Sequence, residues 1–180
     1  MRATGIIRRV DVLGRVVVPK EIRKVLKIDE GDPLEIFTDK DGIILKKYSP
    51  ITNMDGLADD VCKALARQTA KCVYVTDKDS FVSASGNCPK QAVFSSISSE
   101  IYKLIVNKQT VISSYDEGGA PLPLSDGEPC DFTNQLVMPV IANDEGVGCI
   151  IIGDKSKENK ISSNDIELVS FACEVLASRY

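Results

Sequence analysis

The sequence predicts an α+β chain built of two unlike domains, and three observations predict it. The first is charge. Residues 1–27 hold eight Lys/Arg against Asp11 and Glu21, a net of +6 in a chain that carries −4 overall, which leaves −10 for the remainder. A split that steep suggests a polyanion-binding module joined to one that does not bind polyanions. The second is a run of short β-branched segments before residue 50, cut by turn signals and interrupted by one short amphipathic segment. The third is a longer pattern after residue 56, in which helical periodicity alternates with paired strands.

In chain order, Thr4 to Val10 alternates and is β-branched enough for a strand. A strand has a period of two, so Arg8 and Arg9 point to opposite faces. Asp11-Val-Leu-Gly14 is a turn signal, and Arg15 opens a second strand, Val16–Val18. Such a hairpin brings Arg8 and Arg15 together near the turn. The bland alternative is a surface pair between these arginines and Asp11.

Pro19 suits the first position of a helix, where a missing N–H costs nothing. Ile22, Val25 and Leu26 then gather on one side, and Lys20, Arg23, Lys24 and Lys27 on the other. Four cations without an acid repel one another, which a phosphate backbone would relieve. An ordinary solvated face is the competing reading. Residues 33–38 and 42–48 form two more strands around Asp39-Lys-Asp-Gly42, a strong hairpin signal. A β-β-α-β-β unit of about fifty residues is too short for a self-sufficient core. With no cysteine or metal cluster in residues 1–50, an intertwined homodimer is the expected remedy.

Three blocks carry a family resemblance: Thr4-Gly-Ile-Ile-Arg-Arg-Val-Asp11, Leu13-Gly-Arg-Val-Val-Val-Pro19 and Glu21-Ile-Arg-Lys-Val-Leu26. They resemble the swapped-hairpin DNA-binding domain of AbrB-type transition-state regulators, and Leu34–Phe37 and Ile43–Lys47 continue the likeness. The resemblance implies that two chains interleave their hairpins and grip double-stranded DNA. The matching basic positions are Arg8, Arg15, Arg23 and Lys24. Arg9 and Lys20 are further candidates, although Lys20 stands where close relatives often have an apolar residue. The chain as a whole resembles regulators of forespore transcription in endospore-forming bacteria. That implies a cytoplasmic activator or repressor.

Residues 51–56 read as a linker and 57–180 as a second domain. Leu57, Val61, Ala64 and Leu65 trace a first helix that ends before Cys72. Strands 72–76 and 81–85 flank an Asp77-Lys-Asp79 turn. A long helix is expected after Pro89, with Phe94, Ile97, Ile101, Leu104 and Ile105 on its buried face. Strand 110–113 follows, then a hairpin of 135–141 and 146–153 around Asn143-Asp-Glu-Gly146. The last helix starts near Ser162 or Ser163, with Asp165 favourable to its dipole. This order is similar to a GAF domain, a small-molecule sensor and dimerisation fold whose first and last helices commonly pack across a dimer axis. Two dimer interfaces joining different chain pairs would give a tetramer.

The loop from Tyr115 to Asp131 is long enough to suggest a lid over a sensor pocket. Between Lys108 and Lys155 there are eight acids and no Lys or Arg. Such a pocket favours a neutral or apolar ligand over a phosphorylated one. A pocket filled by its own side chains is an equal alternative, and no ligand-binding residue is assigned.

The chain has no histidine and no tryptophan, which removes the commonest general base and catalytic metal ligand. No P-loop, dinucleotide fingerprint or nucleophile elbow occurs. The expectation is a non-enzyme without cofactor or metal. Cysteines 62, 72, 88, 130, 149 and 173 are scattered, and most are expected to be small core residues in a reducing compartment. No signal peptide or membrane-length apolar run is present. Two alternatives are weighed. Some GAF-like proteins reduce free methionine sulfoxide through cysteines, which would engage Cys88 and Cys130 here, or the same thiols would sense redox state. An antitoxin-like repressor is the other, although antitoxins typically continue into a short toxin-wrapping tail.

Overall fold

The computed structural model describes residues 5–26, 28–40, 42–49, 51, 54, 56–88 and 95–180. Thr4, Lys27, Pro89 and Phe94, each assigned above to a strand or helix, lie outside the described residues. The chain divides into two compact units, Met1–Tyr48 and Ser49–Tyr180.

In the first unit, α1 spans Lys20–Val25, β1 Leu34–Asp39 and β2 Gly42–Lys47. The β1–β2 hairpin pairs antiparallel from Leu34↔Lys47 to Asp39↔Gly42, the two-residue connection that the Asp-Lys-Asp-Gly signal implies. Pro19 is not the first helical residue but the cap before it, with φ −58° and ψ 148°. It is also buried.

The expected strands at 4–10 and 16–18 are not present as strands among the described residues. Only the turn between them is closed. The Asp11 N–H donates to the Arg15 carbonyl and the Gly14 N–H to the Asp11 carbonyl, both at 3.0 Å. Two flanking segments alone make a ribbon that water outcompetes, and here the single chain offers no third strand to join them. Ile7, Val10, Val12, Leu13, Val16 and Val17 are accordingly exposed, as are Val25 and Leu26, expected to lock α1 onto a core; Ile22 is half-buried.

The second unit is a five-stranded antiparallel sheet in the order β4-β3-β7-β6-β5. Its elements are α2 Leu57–Thr69, β3 Cys72–Asp77, β4 Phe81–Ser85, α3 Ser99–Asn107, β5 Val111–Ser114, β6 Asn134–Ala142, β7 Glu145–Asp154 and α4 Ser163–Ala177. Strand alternation sends side chains to two separate cores. Val73, Val75, Leu136, Ile150 and Ile152 face α2 and α4, packing with Cys62, Leu65, Val169 and Leu176. Tyr74, Val137, Cys149 and Ile151 face α3 and the long loop, packing with Phe81, Ile101, Ile105 and Phe132. Covering both faces explains the unbroken apolar run Ile150-Ile-Ile152 in β7.

Ile51, in the expected linker, is 1% exposed and belongs to the first of these cores. A Cβ on Gly148 would overlap the Thr76 carbonyl of the neighbouring strand and also meet Ile51 Cδ1, so the glycine is required by close approach of the backbone.

The helix expected after Pro89 is shorter and begins later, at Ser99. The Ser98 side chain accepts the Ile101 N–H at 3.2 Å and caps it, which leaves Ile97 buried but outside the helix. Asn143 and Asp144 turn between β6 and β7 with φ of 49° and 64°, the left-handed pair that a tight hairpin favours. At α4, Ser162 and Asp165 form a reciprocal capping box. Asp165 also takes the Lys71 ammonium at 3.1 Å, with both side chains about 95% buried.

Candidate functional site

The N-terminal cations sit on a turn and a short helix. At the turn, Asp11 organises its neighbours. One carboxylate oxygen accepts the Leu13 and Arg15 N–H groups at 2.9 and 2.8 Å, and the other accepts Arg15 Nε at 2.7 Å. The Arg15 backbone bond first, then its guanidinium, holds the Asp11 carboxyl below the usual carboxylate range. The bland pairing is thus realised for Arg15. It engages Nε and leaves outside the pair the two Nη groups that a bidentate contact uses. Arg8 is exposed, with Nη1 donating to its neighbour's carbonyl at 3.2 Å, and Arg9 is exposed beside it.

On α1, Lys20 and Lys24 are exposed, whereas Arg23 is half-buried and its Nε has no hydrogen-bond partner among the described residues. The competing reading of a uniformly solvated face therefore does not describe Arg23. Lys27 lies outside the described residues. From sequence the Asp11–Arg15 pair is legible only as the bland alternative to DNA contact, not as a device that orients Arg15.

In the second unit, the Tyr115–Asp131 loop is fastened rather than open. The buried Gln135 side chain grips Leu122 from both sides: its Oε1 accepts the Leu122 N–H at 2.7 Å and its Nε2 donates to the Leu122 carbonyl at 3.0 Å. The Ser98 N–H donates to the Leu124 carbonyl, and Ser99 donates to Asp126 through both its N–H and its hydroxyl. Leu124 and Cys130 then pack against the α3-side core.

The acidic rim expected from composition is partly balanced. Lys155 pairs with Asp131, Lys157 with Asp116 and Lys160 with Glu117, while Lys108 and Lys78 take Asp144 and Glu145. The compensating lysines come from segments distant in sequence, which a count along the chain does not see. Among the described residues of this unit, the buried Tyr74 hydroxyl, Ser114 hydroxyl and Asn134 Oδ1 have no hydrogen-bond partner. Burial, with Asp131 adding to it, pushes the Tyr74 phenol up to about 12.

Gln135 was read from sequence only as part of a strand. Gln135→Ala strips both Leu122 backbone groups of their partner, at a cost of about 1–3 kcal/mol. Faster amide exchange at Leu122 and Ser98 is the expected result. Unchanged exchange there would show that the loop is held by something else.

The cysteines depart from expectation in one respect. Cys72 and Cys88 are joined as a disulfide, with Cα atoms 5.2 Å apart. Cys62, Cys149 and Cys173 are buried thiols as expected, and Cys130 is half-buried. The Cys88–Cys130 pairing needed for sulfoxide reduction is therefore not made, because Cys88 already has a partner. No group of three or more Cys, Asp or Glu able to hold a metal ion occurs among the described residues.

Residues 53–179 match the family model described as stage V sporulation protein T C-terminal, transcription factor. Residues 7–53 match that of the antidote-toxin recognition MazE, bacterial antitoxin. Stage V sporulation protein T of Bacillus subtilis (strain 168) is 40% identical over 158 residues, 87% of each chain. Transition state regulatory protein AbrB of the same organism is 60% identical over 50 residues, 28% of this chain and 52% of AbrB. The GAF domain of an Acinetobacter phosphoenolpyruvate-protein phosphotransferase is similar in fold, with a TM-score of 0.51 at 15% identity over 74% of this chain and 83% of that domain.

Proposed function

The chain belongs to the stage V sporulation protein T family of transcription factors, and from that premise we propose that its first unit grips double-stranded DNA as an interleaved dimer. It is a regulator and not an enzyme: an AbrB-like N-terminal domain precedes a GAF-like one. Arg8, Arg15, Arg23 and Lys24 are the proposed DNA contacts, with Arg9 and Lys20 as further phosphate contacts.

One observation carries the reading. The first unit combines a basic turn and helix with a set of exposed β-branched side chains that a single chain leaves unburied. A second copy supplies the missing strands and doubles the positive field. Arg15 supports the assignment further, since Asp11 fixes its guanidinium without using its Nη groups.

In this reading the GAF-like unit ties dimers into a tetramer and responds to a signal in the forespore. With the loop fastened to Gln135 and to the start of α3, a lid movement over a ligand would have to break those bonds. The five acids paired with lysines weaken, without removing, the ground for preferring an uncharged one. No helix among the described residues is long and apolar enough to cross a membrane. The antitoxin match ends at residue 53, where the transcription-factor match begins, so a globular domain takes the place of an antitoxin's tail.

The test is the affinity of the full chain for duplex DNA as a function of salt. Each phosphate neutralised contributes about −0.9 to the slope of log K against log salt. A dimer using several cations per subunit gives a steep line, with light scattering reporting a mass of four chains. A flat line, or no binding at low salt, would sink the proposal.

A further inference from the structure

Cys72 and Cys88 stand apart from the other cysteines in where they sit and in what they join. Cys72 is the first residue of β3 and is buried, while Cys88 is half-buried, three residues beyond the end of β4. The hairpin between them is already paired through its backbone from Val73↔Ser85 to Thr76↔Phe81. The covalent bond is not needed to close it. What the bond fastens is the corner Ser85–Cys88, which turns at Gly86 with φ +88°. That corner lies so close that a Cβ on Gly86 would overlap the Lys71 carbonyl. Lys71 in turn sends its ammonium to Asp165 and to Asn159, at 3.1 and 2.8 Å. The disulfide therefore lies one residue from the buried ion pair that seats the N-terminus of α4.

The remaining thiols are placed to stay inert. Burial pushes Cys62 up to about 11 and Cys149 up to about 12, and raises Cys173 and Cys130 as well. Thiols so raised are almost wholly protonated near neutrality and react slowly.

The coupling to function rests on the DNA-binding reading above. A protein whose partner is chromosomal DNA works among thiols held reduced, where disulfides are usually transient and report oxidation. We propose that Cys72 and Cys88 form a reversible thiol–disulfide switch in the GAF-like unit, oxidised by low-molecular-weight disulfides, and that its state changes DNA affinity by fixing or releasing the corner against Lys71 and α4.

The exchange runs in two steps. The more accessible Cys88 thiolate attacks one sulfur of a disulfide RSSR, forming a mixed disulfide and expelling RS⁻. The Cys72 thiolate then attacks Cys88 Sγ, forming the Cys72–Cys88 bond and expelling the second RS⁻. Two cysteine thiols lose two electrons, one RSSR becomes two RSH, and the cysteine protons end on those thiols. Reduction by excess RSH reverses both steps.

The experiment equilibrates the native full chain in glutathione buffers from reduced to oxidised, quenches with acid, alkylates and maps the label by mass. The expected result is a single two-electron transition in which Cys72 and Cys88 lose their label together while the other four keep theirs. Cys72→Ser should leave Cys88 capped by glutathione, and Cys88→Ala should abolish the transition. Both cysteines staying alkylated in oxidised buffer would overturn the proposal. So would a bond that persists in the most reducing buffer, which would mark a fixed staple. DNA affinity measured at the two ends should differ several-fold in the wild type and not in Cys88→Ala; equal affinities would overturn the regulatory claim. Absence of DNA binding in both states would instead sink the DNA reading and the coupling with it, while the alkylation transition tests the thiol pair independently.

Discussion

Asp165→Ala is expected to lower the unfolding free energy by about 3–5 kcal/mol, because it strands a buried Lys71 ammonium without its counter-charge. Both side chains are at most 5% exposed, so water does not replace the lost partner. The same change removes one arm of the α4 capping box. Lys71→Met combined with Asp165→Leu should recover most of the loss, since a matched apolar pair leaves no charge behind. Urea unfolding followed by circular dichroism reads all three proteins. A loss below about 1 kcal/mol for Asp165→Ala would mean that the pair behaves like a surface bridge.

The pair also gives stability a pH signature. Burial pushes the Asp165 carboxyl up, but the Ser162 N–H, Lys71 and the Ser162 hydroxyl outweigh it and hold the carboxyl below its ordinary 3.8. A carboxyl depressed in the folded state binds its proton more readily once unfolded. Its contribution is therefore fully present above about pH 4 and is lost as pH falls through the lower folded value. Asp165→Ala should flatten that part of the acid limb. An unchanged acid limb would assign it to other carboxylates.

Arg8→Ala and Arg15→Ala are each expected to weaken specific DNA binding by about 1–3 kcal/mol if the side chain reads a base edge. A phosphate contact would instead weaken all sequences alike and reduce the salt slope by about one. Arg15→Lys should not rescue. Lysine has a single ammonium and cannot hold Asp11 through one nitrogen while offering two more in a planar fork. Full affinity in both alanine variants would remove these residues from the interface. Specificity is also expected to draw on DNA bendability, so stiff A-tracts placed at uncontacted steps should alter affinity.

Local chemistry made several elements legible from residues alone. The β1–β2 and β6–β7 hairpins follow from Asp-Gly and Asn-Asp-Glu-Gly turn signals between β-branched runs, and the ends came within a residue or two. The start of α3 was misplaced because Phe94 and Ile97 continue the apolar period of Ile101, Leu104 and Ile105 toward Pro89, whereas the helix is capped at Ser98 and Ile97 is buried ahead of it. The first hairpin was read as two strands, yet within one chain only its turn forms, because a strand is completed by its neighbour.

By itself the sequence determined what depends on near neighbours: the α+β class, the turns, the α4 cap, the charge split and the basic residues on the N-terminal turn and helix. These rest on backbone preference and side-chain period, which act over a few residues. Only the tertiary structure decided which distant groups meet. Cys72 with Cys88, Lys71 with Asp165, Gln135 with Leu122 and the lysines of 155–160 with the acids of the long loop are separated by 13 to 94 residues. No local rule selects such partners. They are brought together by the sheet order and by the cost of leaving buried polar groups unpaired.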